Sequence, residues 1–173
     1  MKILSNYILF VNKTNEFIGK YSSWLTTFLV LVVVYDVVLR YAFNISSVGM
    51  QELEWHVFAV LFLMGAAYTL LTDDHVRVDL FYSKFNEKQK AWTNFVGTLL
   101  FLIPFILIVI YTSANYVNNS FVLSESSPDP GGIPARYILK SFIPLSFIFL
   151  LLQGIALLFK SILTIMNHSE EKI

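Results

Sequence analysis

The sequence predicts an all-α membrane protein with four transmembrane helices and both termini in the cytoplasm. The 173 residues are 56% hydrophobic and only 14% charged, whereas soluble domains carry about 25% charged residues. Long apolar stretches alternate with short polar links along the chain. The formal net charge is zero, so no basic surface indicates nucleic acid as a partner. Cysteine is absent, which excludes disulfides, thiolate metal sites and cysteine nucleophiles.

Four apolar stretches predict membrane crossings at about residues 21–43, 53–72, 91–113 and 139–160, in one domain spanning residues 1–173. The second is the best bounded, because Trp55–Thr72 carries no formal charge and rises about 27 Å as a helix, near the hydrocarbon thickness. The third belongs to a charge-free interval that reaches Ser124, so its helix either tilts or continues as an uncharged extension. Pro104 is expected to kink this helix, because proline removes one interior hydrogen bond.

Residues 1–20 leave two interpretations open. Apolar residues recur there at helical spacing, which is typical of an amphipathic helix lying at the membrane surface. The other interpretation is a polar N-terminal extension of the first transmembrane helix. The apolar stretch that follows is too long for the core of a signal peptide and lacks a small-residue cleavage site, so we expect it to remain as an anchor.

Basic residues set the predicted orientation, because loops rich in lysine and arginine stay in the cytoplasm. Nine fall on the side of the termini: Lys2, Lys13, Lys20, Arg77, Lys84, Lys88, Lys90, Lys160 and Lys172. Three fall on the other side: Arg40, Arg136 and Lys140. The termini are therefore predicted to be cytoplasmic, and the links at residues 44–50 and 124–134 are predicted to face outward.

Two polar pairs at the ends of the second crossing are the candidates for chemistry. Glu52 and His56 lie four residues apart, as do His75 and Asp79, so each pair would share one face of a helix. Such a pair offers two metal ligands or a proton relay. No third ligand converges on either pair by sequence. The two histidines also lie at opposite depths, which disfavours a haem bound between them.

Simpler roles account for the same residues. Glu52 and His56 are expected to form a hydrogen-bonded pair, and Arg77 is expected to pair with a neighbouring aspartate at a charged helix end. Asp36 and Arg40, also four apart, predict an ion pair that lowers the cost of charges near the membrane boundary. The alternative is that Asp36 or Arg40 faces a partner helix or a polar pathway. We therefore predict no catalytic residue, metal site or cofactor in this chain.

A patch of small residues occupies the middle of the second crossing: Gly65, Ala66, Ala67 and Thr69. Small residues let two helices approach closely within a membrane, so this patch predicts a helix–helix contact. A stand-alone carrier would need an ionisable residue near the membrane midplane, and the centre of each crossing is uncharged. No inverted repeat is evident either. The chain is therefore predicted to act as a subunit.

Four segments, in this order, resemble the small membrane subunits of TRAP transporters, the DctQ-like family of tripartite ATP-independent periplasmic transporters. They are Arg40-Tyr41-x-Phe43, Gln51-Glu52-Leu53, Gly65-Ala66-Ala67-Tyr68 and His75-Val76-Arg77-Val78-Asp79. The segment at residues 125–134, followed by Ile143-Pro144-Leu145, resembles the branch labelled for 2-oxo acids, mannitol or chloroaromatic compounds.

The resemblance implies a bacterial inner-membrane importer of three parts. A periplasmic binding protein captures an organic anion, a large subunit carries it inward with sodium, and the small subunit is a scaffold for the large one. Sodium coupling is then expected in the large subunit. Our candidates for interface or structural roles are Arg40, Glu52, Glu54, Gly65, Ala66, Ala67, Thr69, His75, Arg77 and Asp79. Candidates for docking the binding protein are Ser47, Asp129 and Arg136. A stand-alone membrane carrier and a haem- or metal-binding membrane subunit are the alternatives.

Overall fold

The computed structural model describes residues 2–72, 82 and 84–170, and side chains as far as residue 166. That part of the chain forms four long helices: α1 (Lys2–Ala42), α2 (Val48–Thr72), α3 (Glu87–Val122) and α4 (Arg136–Glu170). Each is long and apolar enough to cross a membrane. The predicted all-α fold with four membrane-crossing helices is therefore confirmed.

Helix α1 continues without a break from the N-terminal residues into the first crossing. Its 41 residues rise about 60 Å, roughly twice the hydrocarbon thickness of a bilayer. The N-terminal half packs on α4, where the Tyr7 hydroxyl donates to the Leu152 carbonyl at 3.2 Å and the Tyr7 ring meets Phe159 edge-on. Residues 2–20 are therefore an extension of the first transmembrane helix that belongs to the bundle.

Helices α1, α2 and α4 pack against one another, whereas α3 packs chiefly on α4. The bundle is therefore a three-helix unit with a fourth helix attached along one side. The apolar core contains Ala67, Leu70, Ile106 and Leu150, and so lies where α2, α3 and α4 meet. Within the most apolar stretch of α1 and of α3, only 11% of the residues are buried by the described chain.

A narrow seam of buried residues joins α3 to α4: Ala91, Thr98, Ile106, Ser113 and Ser120. The spacing is seven residues except across a π-helical turn at Thr98–Leu102, where it is eight. An ordinary α-helix would rotate a side chain by about 80° over eight residues. The π turn absorbs the extra residue, because the Ile103 N–H donates to the Thr98 carbonyl five residues back.

This π turn lies directly before Pro104, where the sequence predicted a kink. Beyond it, α3 continues to Val122, so the charge-free interval extends the helix well past the predicted crossing. We call the end of the bundle that carries the links 43–47 and 123–135 the loop end. The opposite end, where Lys90 and Lys160 line one polar cavity, is the basic end.

Candidate functional site

Glu52 is the most highly connected side chain at the loop end. Its carboxylate is buried, with 5% of the residue exposed. Oε1 accepts hydrogen bonds from Arg136 Nη2 at 2.7 Å and Ser127 Oγ at 2.6 Å, and Oε2 accepts from the Ile133 N–H at 2.6 Å. These charge-assisted bonds tie α2 to the link 123–135 and to the start of α4. We call this arrangement the Glu52 clasp.

The link held by the Glu52 clasp is itself closely folded. The Ser127 N–H donates to the Ile133 carbonyl at 3.2 Å, and the Arg136 N–H donates to the Glu125 carbonyl at 2.9 Å. A Cβ at Gly132 would lie 2.3 Å from Ser127 Oγ and 2.8 Å from Glu52 Oε2. Only glycine leaves room for the carboxylate there. The link is therefore a well-packed loop with its own hydrogen bonds.

A second ion pair fastens the same link to α3 and α4. The Lys140 ammonium binds the Glu125 carboxylate and lies 4.0 Å from the centroid of the Tyr116 ring. The hydrogen bond from Lys140 holds the pKa of Glu125 below its ordinary value. Because this folded-state pKa is lowered, the stability that the pair contributes is present above the ordinary glutamate pKa. That contribution is lost as the pH falls through the lowered value.

The three predicted docking residues occupy different settings at the loop end. Arg136 binds Glu52 and lies 5.7 Å from the centroid of the Trp55 ring. Its positive charge is therefore paired within the chain. Asp129 and Ser47 are exposed. A Cβ at Gly49 would lie 3.0 Å from the Gly131 carbonyl oxygen, so the links carrying Ser47 and Asp129 adjoin. The loop end thus presents one surface built from both links.

His56 forms the predicted hydrogen bond with Glu52, but through the backbone. The His56 Nδ1 lies 2.6 Å from the Glu52 carbonyl oxygen, while the Glu52 carboxylate points into the link. The His56 ring packs on Trp55 and borders an apolar cavity of about 250 Å³ between α1, α2, α4 and Pro134. No group of three potential metal ligands occurs in the described part of the chain. The candidates His75, Arg77 and Asp79 lie outside the described residues.

Asp36 and Arg40 form the predicted ion pair on α1, and Asp36 is 1% exposed. Glu54 of α2 lies close enough to Arg40 to interact electrostatically. Within the described structure, Arg40 Nε and Glu54 Oε1 are buried without a hydrogen-bond partner. Arg40 is bound to Asp36, and one carboxylate oxygen of Glu54 is enclosed without a hydrogen-bond donor among the described residues.

The predicted small-residue patch is divided between two sides of α2. Ala67 is buried in the core of the chain, and Ala66 is half-buried. Gly65 faces open space, since no atom lies within 4 Å of where its Cβ would be. The Thr69 hydroxyl donates to the Gly65 carbonyl at 3.0 Å. Ala67 is therefore not available to another protein, whereas Gly65 is.

The side of α2 that carries Gly65 continues toward the loop end as a row of exposed aromatic residues. Trp55, Phe58 and Phe62 follow at spacings of three and four residues, which places them on one helical face with Gly65 and Thr69. The Phe58 and Phe62 rings stack with centroids 6.5 Å apart. We call these five residues the aromatic–glycine face.

Two packing contacts have no counterpart among the sequence predictions. The first is Gly19, whose backbone lies directly against Tyr68 of α2. The second is a chain of amides at the α1–α4 contact. Asn15 Nδ2 donates to Gln153 Oε1 at 2.8 Å, and Gln153 Nε2 donates to Asn12 Oδ1 at 3.1 Å. Amide side chains inside a membrane bundle need hydrogen-bond partners. The presence of these amides in apolar helices was the sequence signal that could have predicted this contact.

Comparison with known protein families gives a match over most of the chain. The family described as tripartite ATP-independent periplasmic transporters, DctQ component, matches residues 29–164. The match begins within α1 and ends within α4, so it covers α2, α3 and both loop-end links completely. No curated protein matches the chain.

Proposed function

Because the chain belongs to the DctQ-component family of tripartite ATP-independent periplasmic transporters, it is a transporter subunit and not an enzyme, and we propose that it is a scaffold for the large membrane subunit. In this proposal the large subunit carries an organic anion inward together with sodium, after a periplasmic binding protein has delivered the anion. The small subunit holds neither the coupling ion nor a cofactor.

The pairing of buried charges is the observation that supports a scaffold. In the described part of the chain, Asp36 and Glu52 are the buried ionisable residues. Each is bound to an arginine of the same chain, Arg40 and Arg136. A stand-alone carrier needs an ionisable group that can exchange partners during transport. Asp36 is bound to a partner on its own helix, and Glu52 joins α2 to the link 123–135 and to α4. Charges fixed in this way suit a rigid support instead.

The proposed location is the bacterial inner membrane, with both termini in the cytoplasm and the loop end in the periplasm. The adjoining links would then form the surface that meets the binding protein, with Ser47 and Asp129 exposed upon it. Arg136 would contribute indirectly, by holding the link in shape through Glu52.

The orientation gives a direct prediction. Alkaline phosphatase fused after Ile173 is expected to be inactive, because this enzyme matures only outside the cytoplasm, whereas a fusion after Asn44 is expected to be active. Enzyme activity per amount of fusion protein in cells provides the measurement. An active fusion at Ile173 would refute the proposed orientation.

The scaffold role gives a second prediction, at Gly65. Substituting leucine is expected to lower copurification of the large subunit, and anion uptake with it, by about 10-fold, equivalent to ~1.4 kcal/mol of binding energy. The physical reason is that a bulky side chain would prevent close approach of a partner helix. The chain's own packing should tolerate leucine, since nothing lies within 4 Å of the Gly65 Cβ position.

Gly97→Leu is the matched control for this substitution. Gly97 lies on α3 and also has nothing within 4 Å of its Cβ position. The Gly97→Leu substitution is expected to leave both the complex and anion uptake unchanged. If Gly65→Leu also leaves both unchanged, the proposed interface is wrong. Transport by the purified small subunit alone in liposomes would instead favour a stand-alone carrier.

A further inference from the structure

We propose that the aromatic–glycine face of α2 receives a transmembrane helix of the large subunit, and that this helix carries a basic side chain beside Glu54. This inference rests on the proposed scaffold function and specifies its contact. It goes beyond that function by naming the helix face and the chemistry of the partner.

The shape of the face suits a helix. Phe58 and Phe62 project at its loop-end half and are 56% and 70% exposed, and Gly65 and Thr69 leave a depression at the other half. A second helix could pack against the aromatic rings and approach the α2 backbone closely at Gly65. Packing of this kind drives helix association in membranes, where apolar area alone gives no preference for protein over lipid.

The unsatisfied carboxylate supplies the second observation. Glu54 precedes Phe58 by one helical turn, so it lies at the loop-end limit of the same face. Its Oε1 is buried without a partner in the described structure, while the nearby Arg40 is bound to Asp36. A buried carboxylate oxygen without a hydrogen-bond donor is costly, and lipid tails offer no donor. Oε1 is enclosed by the chain itself, but Glu54 is half-buried and its other oxygen, Oε2, stays accessible. A lysine or arginine on the arriving helix would bind Oε2 and balance the excess negative charge.

Helix α3 provides a comparison, because it has an exposed aromatic face without an unsatisfied carboxylate. Phe101 is 73% exposed, much like Phe62, but the interval from Ala91 to Ser124 contains no charged residue. Nothing there distinguishes a protein partner from lipid. The combination of aromatic rings, a glycine depression and an unsatisfied charge occurs on α2.

Photo-crosslinking in the assembled complex tests the face without disturbing the fold. Benzoylphenylalanine is placed at Phe62 or, as a matched control, at Phe101, and the small subunit is co-expressed with the large one. Position 62 is expected to crosslink to the large subunit and position 101 is not. Mass spectrometry of the crosslinked peptide is expected to find lysine or arginine within about two helical turns of the attachment point.

Charge substitution tests the role of Glu54. Glu54→Lys is expected to reduce copurification of the large subunit at least about 10-fold, equivalent to ~1.4 kcal/mol, and Glu54→Gln to reduce it less. The control Glu87→Lys makes the same charge change at an exposed position of α3 and is expected to have no effect. Circular dichroism and gel filtration of each variant alone establish that the small subunit still folds.

The outcomes separate the two proposals. If the wild-type chain fails to copurify with the large subunit, the scaffold function fails, and this inference fails with it. If the wild-type complex forms but crosslinks arise at Phe101 and not at Phe62, only the proposed face is overturned. Crosslinking of Phe62 to a second copy of this chain, or to lipid alone, overturns it as well. Full copurification of folded Glu54→Lys would refute the basic partner residue.

Discussion

Gly19→Ala is expected to destabilise the chain by about 1–3 kcal/mol, the usual cost of an added methylene in a packed interior. The new Cβ would lie 2.3 Å from Tyr68 Cγ and 2.6 Å from Tyr68 Cβ, whereas carbon atoms pack favourably at about 3.5–4.0 Å. Tyr68 cannot rotate away from a clash with its own Cβ. Helices α1 and α2 must therefore separate, which also strains the bond from Asn15 to Gln153 one turn away.

Gly154→Ala provides the matched control for this substitution. The nearest atoms to its Cβ position are Leu102 Cδ2 at 3.6 Å and Thr98 Cγ2 at 3.8 Å, which is ordinary contact. Both variants gain the helix propensity of alanine, so that effect cancels in the comparison. Thermal unfolding in detergent, followed by circular dichroism, is the measurement. A Gly19→Ala protein that melts at or above the temperature of Gly154→Ala would show that the α1–α2 contact is looser than described.

Glu52→Leu is expected to release the link 123–135 and to cost about 3–5 kcal/mol, the range for breaking a buried ion pair from one side. Arg136 would be left partly buried without its carboxylate, and Ser127 and the Ile133 N–H would lose their acceptor. The measurements are thermal unfolding and the rate of proteolysis within the link. Both are expected to show a loosened loop end.

A double-mutant cycle separates the ion pair from general damage. Glu52→Leu combined with Arg136→Leu is expected to be less destabilised than the sum of the single variants, because no unpaired buried charge remains. Glu54→Leu removes a carboxylate two residues away that has no bond to the link, and is expected to leave proteolysis of the link unchanged. Simple additivity in the cycle would mean that Glu52 and Arg136 act independently.

The four crossings, the links and the Asp36–Arg40 pair follow from the sequence by itself. Each is a local property of the chain. Runs of apolar residues with the length of a bilayer define a crossing, and helix geometry brings residues four apart together whatever surrounds them. The connection of Glu52 with His56 was expected for the same reason, and the structure changed only the atom involved, from the carboxylate to the backbone carbonyl.

The tertiary structure decided which side of each helix faces which neighbour. Glu52 meets Arg136, 84 residues away, and Asn15 meets Gln153, 138 residues away. A helix that is apolar on every side does not encode its rotation about its own axis, because each face suits lipid and protein alike. For that reason the sequence indicated one patch of small residues at Gly65–Thr69 and did not show which of them are buried. Packing alone determined that Ala67 is buried in the core while Gly65 remains open to a partner.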